Sequence, residues 1–235
     1  MKNKVLFLLI LLVTQGTFAK DIEVLIWNTK KSHSLTWSEY FLEISKKADF
    51  VLLQEATDKE TVLETVKEQL NYYRFYQSWR SRVGTGVLNA SKVKPYATKL
   101  FKSPSTEPIL NTHKLISVEK YSIENKNLML VNIHAINFVS TSKFEDQLNQ
   151  LIPTLRKHRG PLLFAGDFNT WNSARMSFLE VYMKRLNIKK IEFQRHNRGL
   201  NLDHVYAKNF LRIKAKQLAD RSTSDHHPII VNARF

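Results

Sequence analysis

The stretch "PLLFAGDFNTW", residues 161–171, joins an apolar run to a polar one. Residues 161–166 are typical of a buried β-strand, since a strand covered on both faces needs a short, continuous apolar run. Asp167 and Asn169 come directly after this run, behind Gly166. An acid and an amide at the end of a buried strand indicate a site that is anchored in the core and open at its edge.

Polar side chains of the same few types accompany the other apolar runs of the chain. They are Asn28, Glu55, His134, Asp203, Asp225 and His226. The first three end apolar runs, and Asp203 lies within one. Asp225 and His226 instead precede the last run, so they reach the same edge only if that strand runs opposite to the others. A mixed sheet allows this, and we therefore predict one cluster of carboxylate, amide and imidazole groups at one edge.

Predicted strands and helices alternate at both ends of the sequence, whereas strand follows strand in the middle. Two of the helices are expected to begin at capping boxes, Thr36 with Glu39 and Thr57 with Glu60. A single helix is expected to carry the apolar residues of the segment 144–155 on one face. This mixture predicts two packed, mixed, largely antiparallel sheets with helices outside them.

The composition limits the classes of function that the chain can have. It has 235 residues, no cysteine and a formal net charge of +15. The lack of cysteine excludes disulfides, thiolate zinc sites and a catalytic thiol. The positive charge favours polyanionic partners such as nucleic acid, anionic lipid headgroups or phosphorylated substrates. Because no linker or repeat divides the chain, we expect one monomeric domain over residues 20–235, with no obligate protein partner.

Residues 1–19 have the pattern of a signal peptide. Lys2 and Lys4 precede the apolar stretch 5–13, and the segment 17–19 suits cleavage after Ala19. The apolar stretch is short for a membrane-spanning helix. We therefore predict export, to a periplasm or out of the cell; the alternative is an uncleaved anchor.

The predicted cluster of oxygen groups suits a hard divalent cation. Mg²⁺ or Mn²⁺ prefers carboxylate and amide oxygens and keeps several waters. Such an ion neutralises the charge that builds up during a displacement at phosphorus. A neighbouring Asp would orient or deprotonate the attacking water, and a His held by a second carboxylate would exchange protons. Zinc is disfavoured, because no pair of histidines has the i, i+4 spacing of a zinc hydrolase.

Six short motifs also carry a resemblance to a known family. They are "WN" (27–28), "LLQE" (52–55), "NIHAINF" (132–138), "GDFN" (166–169), "LDHV" (202–205) and "SDH" (224–226). In this order and spacing the chain resembles the endonuclease/exonuclease/phosphatase superfamily, which includes deoxyribonucleases, abasic-site endonucleases, sphingomyelinases and inositol-polyphosphate phosphatases. The resemblance covers nearly all of the chain after the signal segment. "GTGVLNAS" (84–91) and "EPIL" (107–110) resemble an uncharacterised bacterial branch of it.

The resemblance implies a four-layer α/β/β/α sandwich with the site at one edge of the paired sheets. It implies that Glu55 is the principal metal ligand, that Asn28 lies close to metal and phosphate, and that Asp225 helps to bind the metal. Asp167 would position or activate the attacking water, and Asn169 would hold the scissile phosphate.

The same resemblance assigns two histidines. His226 would be the catalytic histidine, paired with Asp203. His134 would match the second histidine of the deoxyribonuclease and sphingomyelinase branches, and Glu107 the acid that accompanies it. The alternative for His134 is a core histidine with satisfied hydrogen bonds.

Other residues have ordinary structural interpretations that stay open. Asn28 also suits a turn, and Asp203 also suits a solvated strand. His204 and His227 neighbour motif residues but point the other way on a strand, so we leave them out of the site. The basic and aromatic stretch 72–82 would suit a nucleic-acid backbone or the solvated face of an edge strand equally well.

Taken together, the residues predict an exported, divalent-metal-dependent phosphodiesterase, most simply an endonuclease acting on nucleic acid. One alternative is a hydrolase of the phospholipase C or sphingomyelinase type, with an anionic lipid as partner. A second alternative is a non-catalytic basic domain that binds nucleic acid or envelope anions. The intact set of acids and histidines favours an enzyme.

Overall fold

The computed structural model describes residues 19–109, 111–196, 201–219 and 223–235. Residues 1–18 of the predicted signal peptide lie outside these ranges. The strands are β1 (Asp21–Asn28), β2 (Phe50–Thr57), β3 (Tyr72–Arg80), β4 (Gly84–Ser91), β5 (Ala97–Lys102), β6 (Leu115–Ile123), β7 (Lys126–His134), β8 (Leu162–Asp167), β9 (Lys189–Lys190), β10 (Asp203–Lys208), β11 (Arg212–Gln217) and β12 (Ile229–Arg234). The helices are α1 (Trp37–Ser45), α2 (Glu60–Gln69), α3 (Thr141–Asn149), α4 (Ile152–Lys157) and α5 (Ser173–Arg185).

The strands form two mixed sheets of six strands each. The first sheet has the order β11-β12-β1-β2-β4-β3, and the second has the order β5-β6-β7-β8-β10-β9. Each sheet contains one parallel pair, β1 with β2 and β7 with β8, among antiparallel neighbours. The predicted mixed, largely antiparallel pairing is confirmed.

Three apolar layers hold these elements together. Between the sheets lie inward-facing residues such as Val24, Leu52 and Leu130. Helices α1 and α2 cover the outer face of the first sheet, around Phe41 and Val66. Helices α3, α4 and α5 cover the outer face of the second sheet. The result is the predicted four-layer α/β/β/α sandwich, in which burial of apolar surface is the main stabilising contribution.

Strand direction brings the polar ends together. β12 runs antiparallel to β1, with Ile229 opposite Ile26, so the residues just before β12 reach the edge where β1 ends. In the second sheet β10 runs antiparallel to β8, and Asp203 lies directly opposite Asp167. β12, the strand that follows Asp225 and His226, therefore runs in the direction that the predicted cluster requires.

The two predicted capping boxes are wrong. Thr36 precedes α1, but its side chain makes no capping hydrogen bond and its backbone is not extended (φ −89°, ψ 4°). Thr57 is the last residue of β2, where it pairs with Thr85 of β4, and α2 begins only at Glu60. In both cases tertiary pairing or turn geometry overrides the local spacing.

Two further elements differ from the sequence prediction. The segment expected to form one helix forms two, α3 and α4, and Pro153 lies in the first turn of α4, where its missing N–H is tolerated. Strand β5 was not predicted, because it is an edge strand of the second sheet whose exposed positions include Lys99 and Lys102, so it has no continuous apolar run.

Helices long and apolar enough to cross a bilayer are absent from the described parts of the chain.

Candidate active site

All the predicted site residues except Asp225 meet at one edge of the sandwich, around a cavity of about 280 Å³. Its lining includes Glu55, Glu107, His134, Asp167, Asn169 and His226. Asn28 and Asp203 lie directly behind this lining and contact it through hydrogen bonds. Residues scattered over most of the sequence thus face one small space.

Asp167 stands at the centre of the cluster, at the end of β8. Nδ2 of Asn28 donates to Oδ2 of Asp167 at 3.0 Å, and the backbone N–H of Asn169 donates to Oδ1 at 2.9 Å. The preceding residue must be glycine: Gly166 has φ 136°, and a Cβ there would lie 2.2 Å from the carbonyl oxygen of Ile133. The close approach of β7 and β8 therefore fixes where the carboxylate points.

The surroundings of Asp167 favour its neutral form. The side chain is buried, and burial together with the charge of Asp203 raises the pKa of Asp167 to about 7. His226 and the hydrogen bonds from Asn169 and Asn28 act in the opposite direction but do not cancel burial. A carboxyl group with a pKa near neutrality suits proton exchange with water.

Asn169 is held in a left-handed conformation, with φ 49°. Its Nδ2 donates to the carbonyl oxygen of Ala135 at 2.9 Å. Because an amide nitrogen has two hydrogens, one N–H of Asn169 remains for a ligand. Non-glycine residues adopt this conformation rarely, and such positions are concentrated at functional sites.

His226 and Asp203 form a hydrogen-bonded pair. Nδ1 of His226 donates to Oδ2 of Asp203 at 2.7 Å, and Nε1 of Trp27 donates to the carbonyl oxygen of His226 at 3.0 Å. Burial lowers the pKa of His226, but the charge and hydrogen bond of Asp203, with the charges of Asp167 and Asp225, raise it to about 10. The ring is therefore cationic near neutral pH, and the hydrogen bond fixes its orientation.

His134, at the end of β7, is the opposite case. Its Nε2 lies 3.8 Å from Oε1 of Glu55 and 3.7 Å from Oδ2 of Asp167. Both distances exceed that of a hydrogen bond. Burial, together with the charges of Lys114 and His226, lowers the pKa of His134 well below its ordinary value. We take the ring to be neutral, because burial outweighs two carboxylates that it does not touch.

Glu55 lies where β2 is irregular. The register of β2 with β4 shifts between Leu53 and Ala56, and Glu55 has φ 50°. This bulge turns the carboxylate into the cavity, where the side chain keeps 26% of its exposure. An accessible carboxylate on a rigid strand suits a cation that also binds water.

Glu107 lines the cavity, but its carboxylate oxygens contact neighbouring residues of the protein. Its Oε1 accepts from the backbone N–H of Asn137 at 2.9 Å, and its Oε2 lies 3.5 Å from Nζ of Lys114. Thr112 also donates to it, at 3.3 Å. Within the described ranges, no hydrogen bond joins Glu107 to His134, so its role beside that histidine stays a prediction.

Asp225 stands apart from the other predicted metal ligands. Its side chain is 58% exposed and forms an ion pair with Nζ of Lys30 at 3.3 Å. It does not line the cavity. Its nearest link to the site is its charge, which helps to raise the pKa of His226. Metal binding by Asp225 stays a prediction.

The donor set fits a loosely held divalent cation. Among the described residues, no three histidine or acidic side chains form a closed metal cluster. Glu55 instead offers one accessible carboxylate, and Asp167 and Asn28 lie behind it. An open set of oxygen donors suits Mg²⁺ or Mn²⁺, which keep several waters, better than an ion that needs a full protein cage.

The sequence interpretation missed one buried cation under the site. Arg175, in α5, is fully buried and donates to three backbone carbonyls, those of Ile136, Asn169 and Val139, at 2.8, 3.0 and 2.8 Å. It thereby ties the loops after β7 and β8 together. No local motif marks it, because its partners come from distant loops.

Lys31, Trp79 and Lys114 also line the cavity without having been predicted. Trp79 belongs to the basic and aromatic stretch 72–82. Two arginines of that stretch have partners within the protein: Nη1 of Arg74 donates to Thr98 at 2.7 Å, and Arg80 pairs with Asp58. The stretch therefore contributes to the site through Ser78 and Trp79.

Comparison with known proteins identifies the family of the chain. The sequence model of the endonuclease/exonuclease/phosphatase family matches residues 25–226. A UPF0294 protein from Vibrio campbellii is 33% identical over 225 residues, which cover 90% of this chain and 77% of that protein.

Two solved structures show the same fold at low sequence identity. A mutant of Staphylococcus aureus beta toxin with bound magnesium ions has a TM-score of 0.71 and 15% identity, covering 90% of this chain and 99% of that one. Sphingomyelinase C from Streptomyces griseocarneus has a TM-score of 0.68 and 13% identity, covering 91% and 99%. The chain belongs to the endonuclease/exonuclease/phosphatase family, whose members are generally divalent-metal-dependent phosphoric-ester hydrolases.

Proposed function

We propose that this protein is an exported, divalent-metal-dependent phosphodiesterase that cleaves nucleic acid internally. One observation carries the proposal: Asp167, a carboxyl group with a pKa of about 7, and His226, a cationic imidazole, line the same small cavity. A general base and a general acid held in one space are what hydrolysis of a phosphodiester by water requires.

Each side chain has a role that its contacts support. Asp167, fixed by Asn28 and the backbone of Asn169, accepts a proton from the attacking water. His226, oriented by Asp203, donates a hydrogen bond or a proton from Nε2 to the phosphate and the leaving oxygen. Asn169 offers its remaining amide N–H to a phosphate oxygen. Neutral His134 donates or accepts a hydrogen bond without adding charge.

Glu55, with Asn28 and Asp167 behind it, would hold the divalent cation. When bound, the cation neutralises charge on the phosphate. We propose Mg²⁺ or Mn²⁺, because the accessible donors are oxygens. Magnesium in the structurally similar beta toxin supports this choice.

Charge supports nucleic acid as the substrate. The chain carries a net charge of +15, and a polymer of phosphates gains more from this field than a single phosphate ester does. Export is proposed from the signal pattern of residues 1–19. Mass spectrometry of the secreted or periplasmic protein should show a chain that begins at Lys20.

A substrate panel tests the proposed function directly. Purified protein would be incubated with plasmid DNA, RNA, sphingomyelin vesicles and inositol phosphates, with and without Mg²⁺. We expect metal-dependent nicking of the plasmid or cleavage of RNA. Release of phosphocholine with intact plasmid would instead identify a sphingomyelinase-like hydrolase. Salt-sensitive DNA binding with no turnover would identify a non-catalytic binding domain.

Glu55→Gln tests the cation site. The substitution keeps size but removes the charge and replaces one acceptor oxygen with an N–H donor, so the Mg²⁺ concentration for half-maximal activity should rise by about tenfold or more. A titration of activity against Mg²⁺ measures this. An unchanged titration curve would show that Glu55 does not hold the metal.

A further inference from the structure

A strained turn follows β1 at the edge of the site. Lys30, Lys31 and Ser32 have φ values of 46°, 62° and 49°, so three consecutive residues other than glycine are left-handed. This conformation is disfavoured for each of them, and it persists only where the surroundings impose it.

The surroundings of the turn do impose it. Oγ1 of Thr29 donates to the carbonyl oxygen of Gln54 at 3.2 Å, and the backbone N–H of Thr29 donates to the same oxygen at 2.9 Å. The backbone N–H of Ser32 returns to the carbonyl oxygen of Thr29 at 2.8 Å, and that of Lys30 donates to Oδ1 of Asn28 at 3.1 Å. The turn is thus fastened to β2 at Gln54, one residue before Glu55.

The turn sends its two lysines to different places. Lys30 is exposed and pairs with Asp225. Lys31 is half-buried, lines the cavity, and holds its ammonium group 5.9 Å from the centre of the Trp79 ring. Among the described residues, no carboxylate lies within ion-pair distance of Lys31. Its charge is therefore oriented by an aromatic face but not neutralised by an acid.

Lys31 differs in this respect from the other lysine of the cavity. Lys114 lies 3.5 Å from Glu107 and is partly neutralised by it. Of the two lysines in the described lining, Lys31 is therefore the one available to an anionic ligand.

The same contact argues against a choline headgroup. A quaternary ammonium binds to an open aromatic face. Besides its two histidines, the described lining of the cavity has two aromatic side chains, Trp79 and Phe138, and Lys31 already lies over the Trp79 ring. A quaternary ammonium at the Trp79 ring would be repelled by Lys31, whereas a further phosphate there would be attracted.

We propose that Lys31 is a substrate-binding residue that contacts a phosphate next to the scissile one, with Trp79 and the left-handed turn as its positioning elements. This inference rests on the proposed phosphodiesterase function. It assigns the site to a substrate with consecutive phosphodiesters, hence a nucleic-acid strand. Lys31 contributes to binding rather than to the chemical step, because its role is to engage a phosphate that does not react.

Steady-state kinetics of Lys31→Met tests the inference. The substitution keeps an unbranched side chain and removes the charge. With an oligonucleotide, KM should rise about three- to tenfold at unchanged kcat, and the slope of log KM against log salt should fall by about one. With bis-p-nitrophenyl phosphate, which has a single phosphate, both constants should be unchanged. Lys31→Arg should restore most of the affinity for the oligonucleotide.

Lys184→Met is the matched control. Lys184 is exposed near the C-terminal end of α5, at the other end of the helix from the site. Its loss changes net charge equally, so it should leave the salt slope and KM unaltered.

Three outcomes would overturn the inference. One is an oligonucleotide KM and salt slope in Lys31→Met equal to wild type. Another is an equal loss of kcat/KM on both substrates, since Lys31 would then either contact the reacting phosphate or be needed for the stability of the turn. The third is release of phosphocholine from vesicles by the wild type. A wild type that cleaves no phosphodiester at all would refute the proposed function itself, a result distinct from the first two.

Discussion

His134 and His226 line the same cavity, and yet their protonation states are opposite. His134 is buried at the end of β7 and has a pKa well below its ordinary value. His226 precedes β12 and has a pKa of about 10. Both have carboxylates nearby, so the number of acids at this edge does not explain the difference.

The two histidines differ in pKa because one of them contacts a carboxylate directly and the other does not. Burial lowers the pKa of both rings. Nδ1 of His226 lies 2.7 Å from Oδ2 of Asp203, and this pair raises the pKa of His226 by more than burial lowers it. His134 comes no closer than 3.7 Å to a carboxylate and receives added positive charge from Lys114. The close pair with Asp203, through its charge and then its hydrogen bond, is thus the main difference between a cationic ring and a neutral ring in a single pocket.

The largest effect is expected from His226→Ala, which removes the cationic partner altogether. Because a positioned acid or base contributes about 10²–10⁴-fold to rate, kcat should fall by that factor with plasmid as substrate. Far-UV circular dichroism should show an intact fold. His204→Ala, which removes a buried imidazole bound to Thr170, should reduce stability while kcat is largely retained. Full activity of His226→Ala would refute its catalytic role.

Asp203→Asn should weaken the contrast without removing either ring. The pKa of His226 should fall from about 10 towards its ordinary value, which NMR titration of the ring would measure. A raised folded-state pKa stabilises the protein fully below the unfolded pKa of about 6.5, and this contribution is lost as pH rises through the folded pKa. The difference in unfolding free energy between wild type and variant should therefore be largest near pH 6 and shrink towards pH 10.

Urea denaturation at several pH values checks the second part of this prediction. A difference that stays constant over this range would show that the two groups are not coupled through charge.

Lys114→Met should have the smallest effect on activity, and it concerns the neutral histidine, His134. Loss of its charge should raise the pKa of His134, but burial is the larger cause and should keep that pKa below its ordinary value. The change in kcat should be less than about tenfold, since one partly screened charge is worth about 1 kcal/mol. NMR titration of His134 measures the shift. A ring that becomes cationic at neutral pH would show that Lys114, and not burial, keeps it neutral.

Much of the architecture could be predicted because it depends on local pattern. Continuous apolar runs predicted the buried strands, such as β2 and β8, and the acids and amides at their ends predicted the edge cluster. The direction of β12 followed from the requirement that His226 reach that edge.

What could not be predicted depends on contacts between distant segments. Thr57 has the spacing of a helix cap, but pairing with Thr85 places it in a strand. Arg175 resembles a solvated helix residue and is fully buried, because carbonyls of two separate loops surround it. The opposite protonation of the two histidines depends on differences of about an ångström that no motif encodes.

The position of β12 determines when the candidate active site can be completed during folding. This strand is inserted between β11 and β1, and His226 immediately precedes it in the chain. All the other proposed catalytic groups are synthesised earlier, but the imidazole is seated only after this late strand pairs with the first one. A nascent chain in which β12 has not yet paired would thus hold an incomplete set of groups, which would keep the proposed hydrolase inactive until this strand is in place.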